Sequence, residues 1–261
     1  MKTVTSKDNP VLKSAMKLRT RKGREEAGAF LVEGRKLIAE AEAAGLTIEH
    51  VFIDAGALAR GEAEAGGYAK EIALEERLFR GLAGTVTPQP YIAVVKRPKA
   101  EDVIARSGSD EAIHVLVLDR VGDPGNAGTM IRTALAAGID GVWCVKGTAD
   151  VFSDKAVRAS AGALFRLPVR EGLTAKECVE GAGALGMRIF VCDAGGADIY
   201  ETDLTGNFAL VIGNEGAGPR EEFIKAADAV IGIPMAPESE SLNAAAAAAV
   251  VMYEARRQAR I

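Results

Sequence analysis

The chain has 261 residues, 48% hydrophobic and 26% charged, with a formal net charge of −4; this is ordinary for a globular protein of one or two domains with a sizeable core. No apolar run reaches the ~18 residues of a membrane-spanning helix, and the opening MKTVTSKDNP lacks an apolar signal core, so the sequence predicts a cytoplasmic protein without membrane association. Three scattered cysteines (Cys144, Cys178, Cys192) read as reduced, mostly buried thiols, and two isolated histidines (His50, His114) argue against histidine catalysis and against a metal centre.

In chain order, residues 9–22 predict a helix capped by Asn9 or Asp8, with Pro10 in its first turn. Eight basic side chains (Lys2, Lys7, Lys13, Lys17, Arg19, Arg21, Lys22, Arg24) crowd residues 1–24 against the single acid Asp8. Overall charge hides this: residues 1–105 hold 17 Lys and Arg against 15 Asp and Glu, and residues 106–261 hold 15 against 21. Local density governs phosphate binding, so an acidic total does not exclude a nucleic-acid partner. A strand at 29–34, a helix at 35–44 ended by Gly45, a strand at 50–54, a largely helical stretch at 55–80 broken at Gly66–Gly67, and a strand at 91–96 complete a small α/β module. The charged stretch 96–112 has little to bury and reads as a connection between domains.

Beyond it, continuous apolar runs at 114–119, 141–146, 187–193, 208–213 and 229–234 fit strands of a parallel sheet covered on both faces. Helices are expected between them, near 126–137, 153–163, 174–185 and 219–226, with a last one at 242–259. The fold class is α/β, a domain over 1–105 and a mainly parallel sheet over 106–261.

Three segments carry chemistry. DRVGDPGNAGTMIRTALAAG at 119–138 has a Pro124–Gly125 turn, Asn126 as a helix cap and Gly138 as the stop. Gly128 and Arg132 stand four apart, on one helix face, with the glycine leaving room beneath the guanidinium. LVIGNEGAGP at 210–219 runs a strand into a loop where Gly213, Gly216 and Gly218 allow positive φ and close backbone approach around Glu215. IPMAPESESLN at 233–243 leads into an alanine-rich helix, with Ser241 as its cap and Asn243 beside it. Taken singly, each has a plain structural explanation: a solvated arginine, an ordinary turn, a helix cap. The Gly-Asn-Ala-Gly stretch is a poor dinucleotide fingerprint, since no G-x-G-x-x-G occurs and no acid ends the next strand.

Their order and spacing is the specific signal: N-x-G-x-x-x-R, then G-x-E-x-x-G, then I-P-M followed by S-L-N. Together they resemble the signature of the SpoU/TrmH branch of the SPOUT RNA methyltransferases. The likeness takes in SDKAVRASAGALFRLPV at 153–169 and, more loosely, residues 1–105 with GRKLIAEA at 34–41, similar to a substrate-binding domain related to a ribosomal protein. The resemblance implies a trefoil-knotted C-terminal domain, an exception to unthreaded chains, and transfer of a methyl group from S-adenosylmethionine to a ribose 2′-hydroxyl of RNA, for this chain 23S ribosomal RNA. It implies a cofactor held by Asp193, Ala194, Gly213, Asn214, Gly216, Gly218, Ile233, Met235 and Leu242. It points to Arg132 acting on the hydroxyl, with Asn126, Glu215, Ser241 and Asn243 placing it and the ribose, and to a homodimer whose active site uses both subunits. Arginine titrates far above neutrality, so Arg132 suits stabilising a developing alkoxide and holding a phosphate better than proton abstraction. The proton then leaves to water or to a phosphate oxygen. Other readings are a non-catalytic RNA-binding or ribosome-assembly factor, a transfer-RNA 2′-O-methyltransferase, and a nucleotide-binding α/β enzyme.

Overall fold

The structure, a computed structural model, describes residues 3–98, 112–239 and 241–259; most of the connection expected at 96–112 lies outside them. The chain forms two compact units: residues 3–98 with 150–165, and residues 112–149 with 166–259.

In the first unit, β1 (Thr3–Val4), β4 (Glu71–Leu74), β3 (Ile48–Asp54), β5 (Tyr91–Lys96) and β2 (Ala29–Glu33) form a five-stranded sheet in that order. β1, β4 and β3 run parallel, while β5 is antiparallel to β3 and β2. The basic stretch expected as one helix is two, α1 (Pro10–Lys17) and α2 (Arg21–Ala27). Asn9 caps α1 as expected; the break comes from Thr20, whose hydroxyl accepts the Gly23 N–H at 3.1 Å and starts a second helix. Residues 55–80 are less helical than expected: a short α4 (Ala55–Ala59) precedes β4, and α5 (Glu76–Leu82) follows it. Leu12 of α1, Leu18 just after it, and Phe79 and Leu82 of α5 pack on Leu31, Phe52, Leu74 and Ile92 of the sheet, and α3 (Arg35–Ala43) contacts β2 and β5.

β2 is an edge strand, and residues 150–165 cover it. This segment contains α7 (Asp154–Ser160) and a 3₁₀ turn (Ala163–Phe165). Phe152 and Phe165 set their rings 5.2 and 6.0 Å from that of Phe30. The guanidinium of Arg24, 5% exposed, donates through Nε and Nη2 to Asp150 Oδ2, with the Nε bond at 2.9 Å. Its Nη1 donates to Leu18 O at 2.6 Å. Sequence alone put 153–169 wholly with the second domain; the aromatic contacts and this buried ion pair seat most of it in the first unit.

The second unit carries a six-stranded sheet in the order β11 (Ala229–Gly232), β9 (Arg188–Asp198), β10 (Phe208–Ile212), β6 (His114–Leu118), β7 (Gly141–Val145), β8 (Val169–Leu173). Every pairing is parallel, as the continuous apolar runs imply. Trp143, Val117, Val191, Val211 and Leu173 meet Cys178 and Ala182 of α8 (Ala175–Ala184) and Phe223 of α9 (Glu221–Ala226) in one core. α6 (Pro124–Ala137) packs against α10 (Ala244–Ala259). Among the described residues, no helix is long and apolar enough to cross a membrane.

Two stability predictions follow from burial. Arg24→Ala leaves the Asp150 carboxylate buried without its partner and lowers unfolding stability by about 3–5 kcal/mol, to be measured by urea denaturation. His114 is 5% exposed and stacks on Phe208 at 4.4 Å between ring centroids, and its Nε2 has no partner among the described residues. Burial, partly offset by Asp140, lowers its pKa from the ordinary 6.5. The unfolded chain therefore binds the proton first, and stability declines as pH falls below about 6.5. Urea midpoints between pH 8 and 5 read this slope, and His114→Gln flattens it.

Candidate active site

All the candidate residues but Arg132 gather at the carboxyl edge of the six-stranded sheet, where α/β sheets place their ligand crevices. Three irregular segments of the second unit line one cleft of about 480 Å³. The first wall is a bulge in β9: pairing with β11 runs through Val191 and resumes only at Ala197. The bulge brings Cys192, Asp193 and Ala194 to the cleft. The second wall is the loop after β10, contributing Gly213, Asn214, Glu215, Gly216 and Gly218. The third follows β11, with Ile233, Met235, Ser241, Leu242 and Asn243. All nine residues assigned to the cofactor by resemblance line this one cleft.

Close contacts shape the middle loop. Asn214 and Gly218 pair across it, N to O at 3.2 Å one way and 2.9 Å the other. The Asn214 Oδ1 accepts the N–H groups of Gly216 at 3.1 Å and Ala217 at 2.9 Å. Of the three glycines expected at positive φ, only Gly218 (66°) adopts it. Gly213 is needed for space instead: a Cβ there would lie 2.2 Å from the Pro219 nitrogen.

Glu215 ties this loop to the start of α6. Its Oε2 accepts the Gly122 N–H at 2.9 Å; its Oε1 accepts the Asn126 Nδ2 at 2.9 Å and the Asp123 N–H at 3.4 Å. Asn126 Oδ1 in turn accepts Asn243 Nδ2 at 3.1 Å, and Asn243 Oδ1 accepts the N–H groups of Ala245 and Ala246. Three candidate side chains thus form one chain of hydrogen bonds across three segments. Both capping expectations shift. Asp123, not Asn126, caps α6, its carboxylate accepting the Asn126 N–H at 2.9 Å. Asn243, not Ser241, caps α10, because the helix begins at Ala244; Ser241 is left exposed on the cleft wall.

Arg132 stands apart. Six residues past Asn126, it lies about 240° round the helix at 3.6 residues per turn, while Gly128 is buried. Arg132 is exposed, makes no hydrogen bond or ion pair with the described residues, and does not line its own chain's cleft.

Burial by itself would raise the Glu215 carboxyl; the Asn126 amide and the Gly122 and Asp123 N–H groups outweigh it and hold the group below the ordinary carboxylate value. It is a fixed anionic acceptor, poorly suited to take up a proton. Burial, then Asp193, push the Cys192 thiol up to about 11, so it stays protonated. Among the described residues, Asp193 and Glu215 are the charged residues of the lining, with no Lys, Arg or His; such a cleft favours a cationic ligand. Among the described residues no cluster of three or more His, Cys, Asp or Glu could hold a metal.

Sequence reasoning passed over Asp119 and Arg120, at the end of β6. The Asp119 carboxylate, 0% exposed, accepts the Arg220 N–H at 2.8 Å and Arg120 Nε at 3.3 Å, and forms an ion pair with Arg220 Nε at 3.1 Å. The available signal was an Asp-Arg pair directly behind four apolar residues, Val115–Leu118.

The chain is similar to known proteins over nearly its whole length. The SpoU rRNA Methylase family model matches residues 114–253, and an MRM3-like substrate binding domain model matches residues 9–93. The 23S rRNA (guanosine(2553)-2′-O)-methyltransferase RlmP of Bacillus subtilis is 35% identical over 98% of this chain and 100% of its own length. The 23S rRNA (uridine(2479)-2′-O)-methyltransferase of Streptomyces viridochromogenes is 35% identical over 92% of this chain and 87% of its own. The crystal structure of an AdoMet-bound rRNA methyltransferase from Sinorhizobium meliloti superposes with a TM-score of 0.84, at 30% identity, over 98% of this chain and 97% of that one.

A titration tests the electrostatics of Glu215. Carboxyl carbon NMR should find it ionising below the ordinary 4.5, and Asn126→Ala should move it upward by removing a donor to the charged form. The sign follows from the lowered value: this interaction contributes stability at neutral pH and is lost as pH falls through the folded-state pKa. An unmoved pKa in Asn126→Ala would show that the amide does not act on the carboxylate.

Proposed function

The chain belongs to the SpoU rRNA methylase family, and on that premise we propose that it transfers a methyl group from S-adenosylmethionine to a ribose 2′-hydroxyl of ribosomal RNA. The observation that carries this reading is the convergence of the β9 bulge, the 213–218 loop and the 233–243 segment on one cleft, locked by Glu215, Asn126 and Asn243. The residues fit the cofactor: carboxylates without cations suit a sulfonium, Ile233, Met235 and Leu242 offer apolar contact for adenine, and the glycine loop exposes backbone groups to its polar edges.

S-adenosylmethionine supplies an already activated methyl group, so the protein must align the hydroxyl and ease the loss of its proton. Glu215 is no base for that step, since amide and N–H donors hold it ionised. No histidine reaches the cleft. Arg132 stabilises the developing alkoxide and holds the adjacent phosphate, and the proton goes to water or a phosphate oxygen. Because Arg132 does not line its own chain's cleft, this role calls for delivery by the second subunit of a homodimer. Leu135 and Tyr253, exposed on the packed pair α6 and α10, supply apolar surface for such an interface. Ser241, on the cleft wall, is free to help seat the ribose.

The finer parts of the reading are a trefoil knot in the second unit, a first unit related to a ribosomal protein, and residence in the cytoplasm, where ribosomal RNA lies. The first unit serves as the RNA-binding part, but not through its whole basic run. Arg24 is buried on Asp150 and Arg19 donates to the carbonyls of Leu82 and Ala83. Phosphate contact falls to exposed Lys7 and Lys17, with Lys13, Arg21 and Lys22 released from solvent-exposed pairs with Asp8, Glu25 and Glu26. The two relatives modify a guanosine and a uridine of 23S rRNA; the reaction centre is the ribose they share.

Transfer of tritiated methyl groups to 23S rRNA, mapped to ribose 2′-oxygens, is the test. Arg132→Ala should lower turnover about 10²–10³-fold, with S-adenosylmethionine affinity near that of the unaltered protein. Turnover retained in that variant removes Arg132 from the mechanism, and no transfer by the unaltered protein sinks the reading.

A further inference from the structure

Among the described residues only Arg120 and Ala161 adopt positive φ without being glycine, at 59° and 47°. Ala161 simply ends α7. Arg120 ends no helix: it directly follows β6 and its neighbour Asp119. The left-handed region disfavours side chains with a Cβ, and glycine or asparagine would occupy it at less cost. An arginine there implies that its side chain does something the backbone turn does not require.

Its polar contacts fall into two sets, one on the end of its own strand and one on the loop after β10. The Arg120 N–H donates to Thr148 Oγ1 at 3.1 Å, and that hydroxyl donates to Leu118 O at 2.8 Å, fixing the strand end. Asp119 steadies the guanidinium through Nε at 3.3 Å. The remaining two bonds reach across to the loop after β10: Asn214 Nδ2 donates to Arg120 O at 2.8 Å, and Arg120 Nη2 donates to Gly218 O at 3.2 Å. Asn214 and Gly218 are the two residues through which that loop closes on itself.

We propose that Arg120 is a positioning residue for S-adenosylmethionine: it clamps both ends of the 214–218 loop from outside the cleft and holds the loop backbone in its binding shape. The inference rests on reading the cleft as the S-adenosylmethionine site. Arg120 does not line the cleft, so its effect passes through Asn214 and Gly218.

Arg120→Gly and Arg120→Asn test this, since both relax the backbone and both remove the guanidinium. Calorimetry with S-adenosylmethionine should show affinity weakened about tenfold or more, a loss of about 1.4 kcal/mol per factor of ten. Melting temperatures should stay within about 4 °C, because relief of strain offsets the lost bonds. In the ligand-free protein the amides of Ala217 and Gly218 should exchange with deuterium faster, and kcat at saturating S-adenosylmethionine should hold within about threefold. A folded variant that binds as tightly as the unaltered protein overturns the proposal. So does loss of folding in both variants, which would assign Arg120 to the fold alone. Absence of binding by the unaltered protein overturns the assignment of the cleft itself.

Discussion

The carboxylate of Glu215 is the joint on which the cleft depends. It receives the backbone N–H of Gly122 and the side-chain amide of Asn126, so the loop after β10 cannot move independently of the first turn of α6. Asn126 hands the constraint on to Asn243 and thence to the first turn of α10. A helix start carries partial positive charge and unsatisfied N–H groups, which is why an ionised carboxylate is at home beside α6. The same contacts that order the segments remove Glu215 as a proton acceptor. An activated methyl donor lessens the need for a strong base, so geometry and charge placement can supply most of what the reaction requires.

The two units divide the labour differently from what a single boundary would give. The strand order of the second unit places the β9 bulge, the 213–218 loop and the 233–243 segment along one edge, and helices cover its faces. The first unit has a mixed sheet whose edge at β2 is closed by residues 150–165. Exposed strand edges invite unwanted pairing; here Phe152, Phe165 and the Arg24–Asp150 pair occupy that position.

Strands built from continuous apolar runs, such as β6, β7 and β10, were legible in the sequence because burial on both faces needs that composition. β4 and β8 were not: EIAL and VREGL are short and carry Glu71, Arg170 and Glu171, and only pairing partners distant in sequence make them strands. The split between α1 and α2 turned on one Thr20 hydroxyl amid residues that all favour helix. The cleft residues could be named in advance because glycine-rich loops behind strands signal backbone exposure to a ligand. Which of Asn126, Asp123, Ser241 and Asn243 would cap a helix could not, since all four are competent and tertiary contacts decide among them. Arg120 was invisible for a related reason: its left-handed backbone is imposed by Thr148 and Asn214, far away along the chain.

The return of the chain to the first unit at residues 150–165 has a kinetic corollary. During vectorial synthesis, residues 3–98 leave the ribosome before the segment that shields Phe30 and satisfies Arg24. At 5–20 residues per second, that segment has fully emerged, through residue 165, roughly 3 to 13 s later. Through that interval the nascent sheet carries an unprotected β2 edge and an unneutralised guanidinium. Its maturation is therefore locked to production of the first third of the second unit.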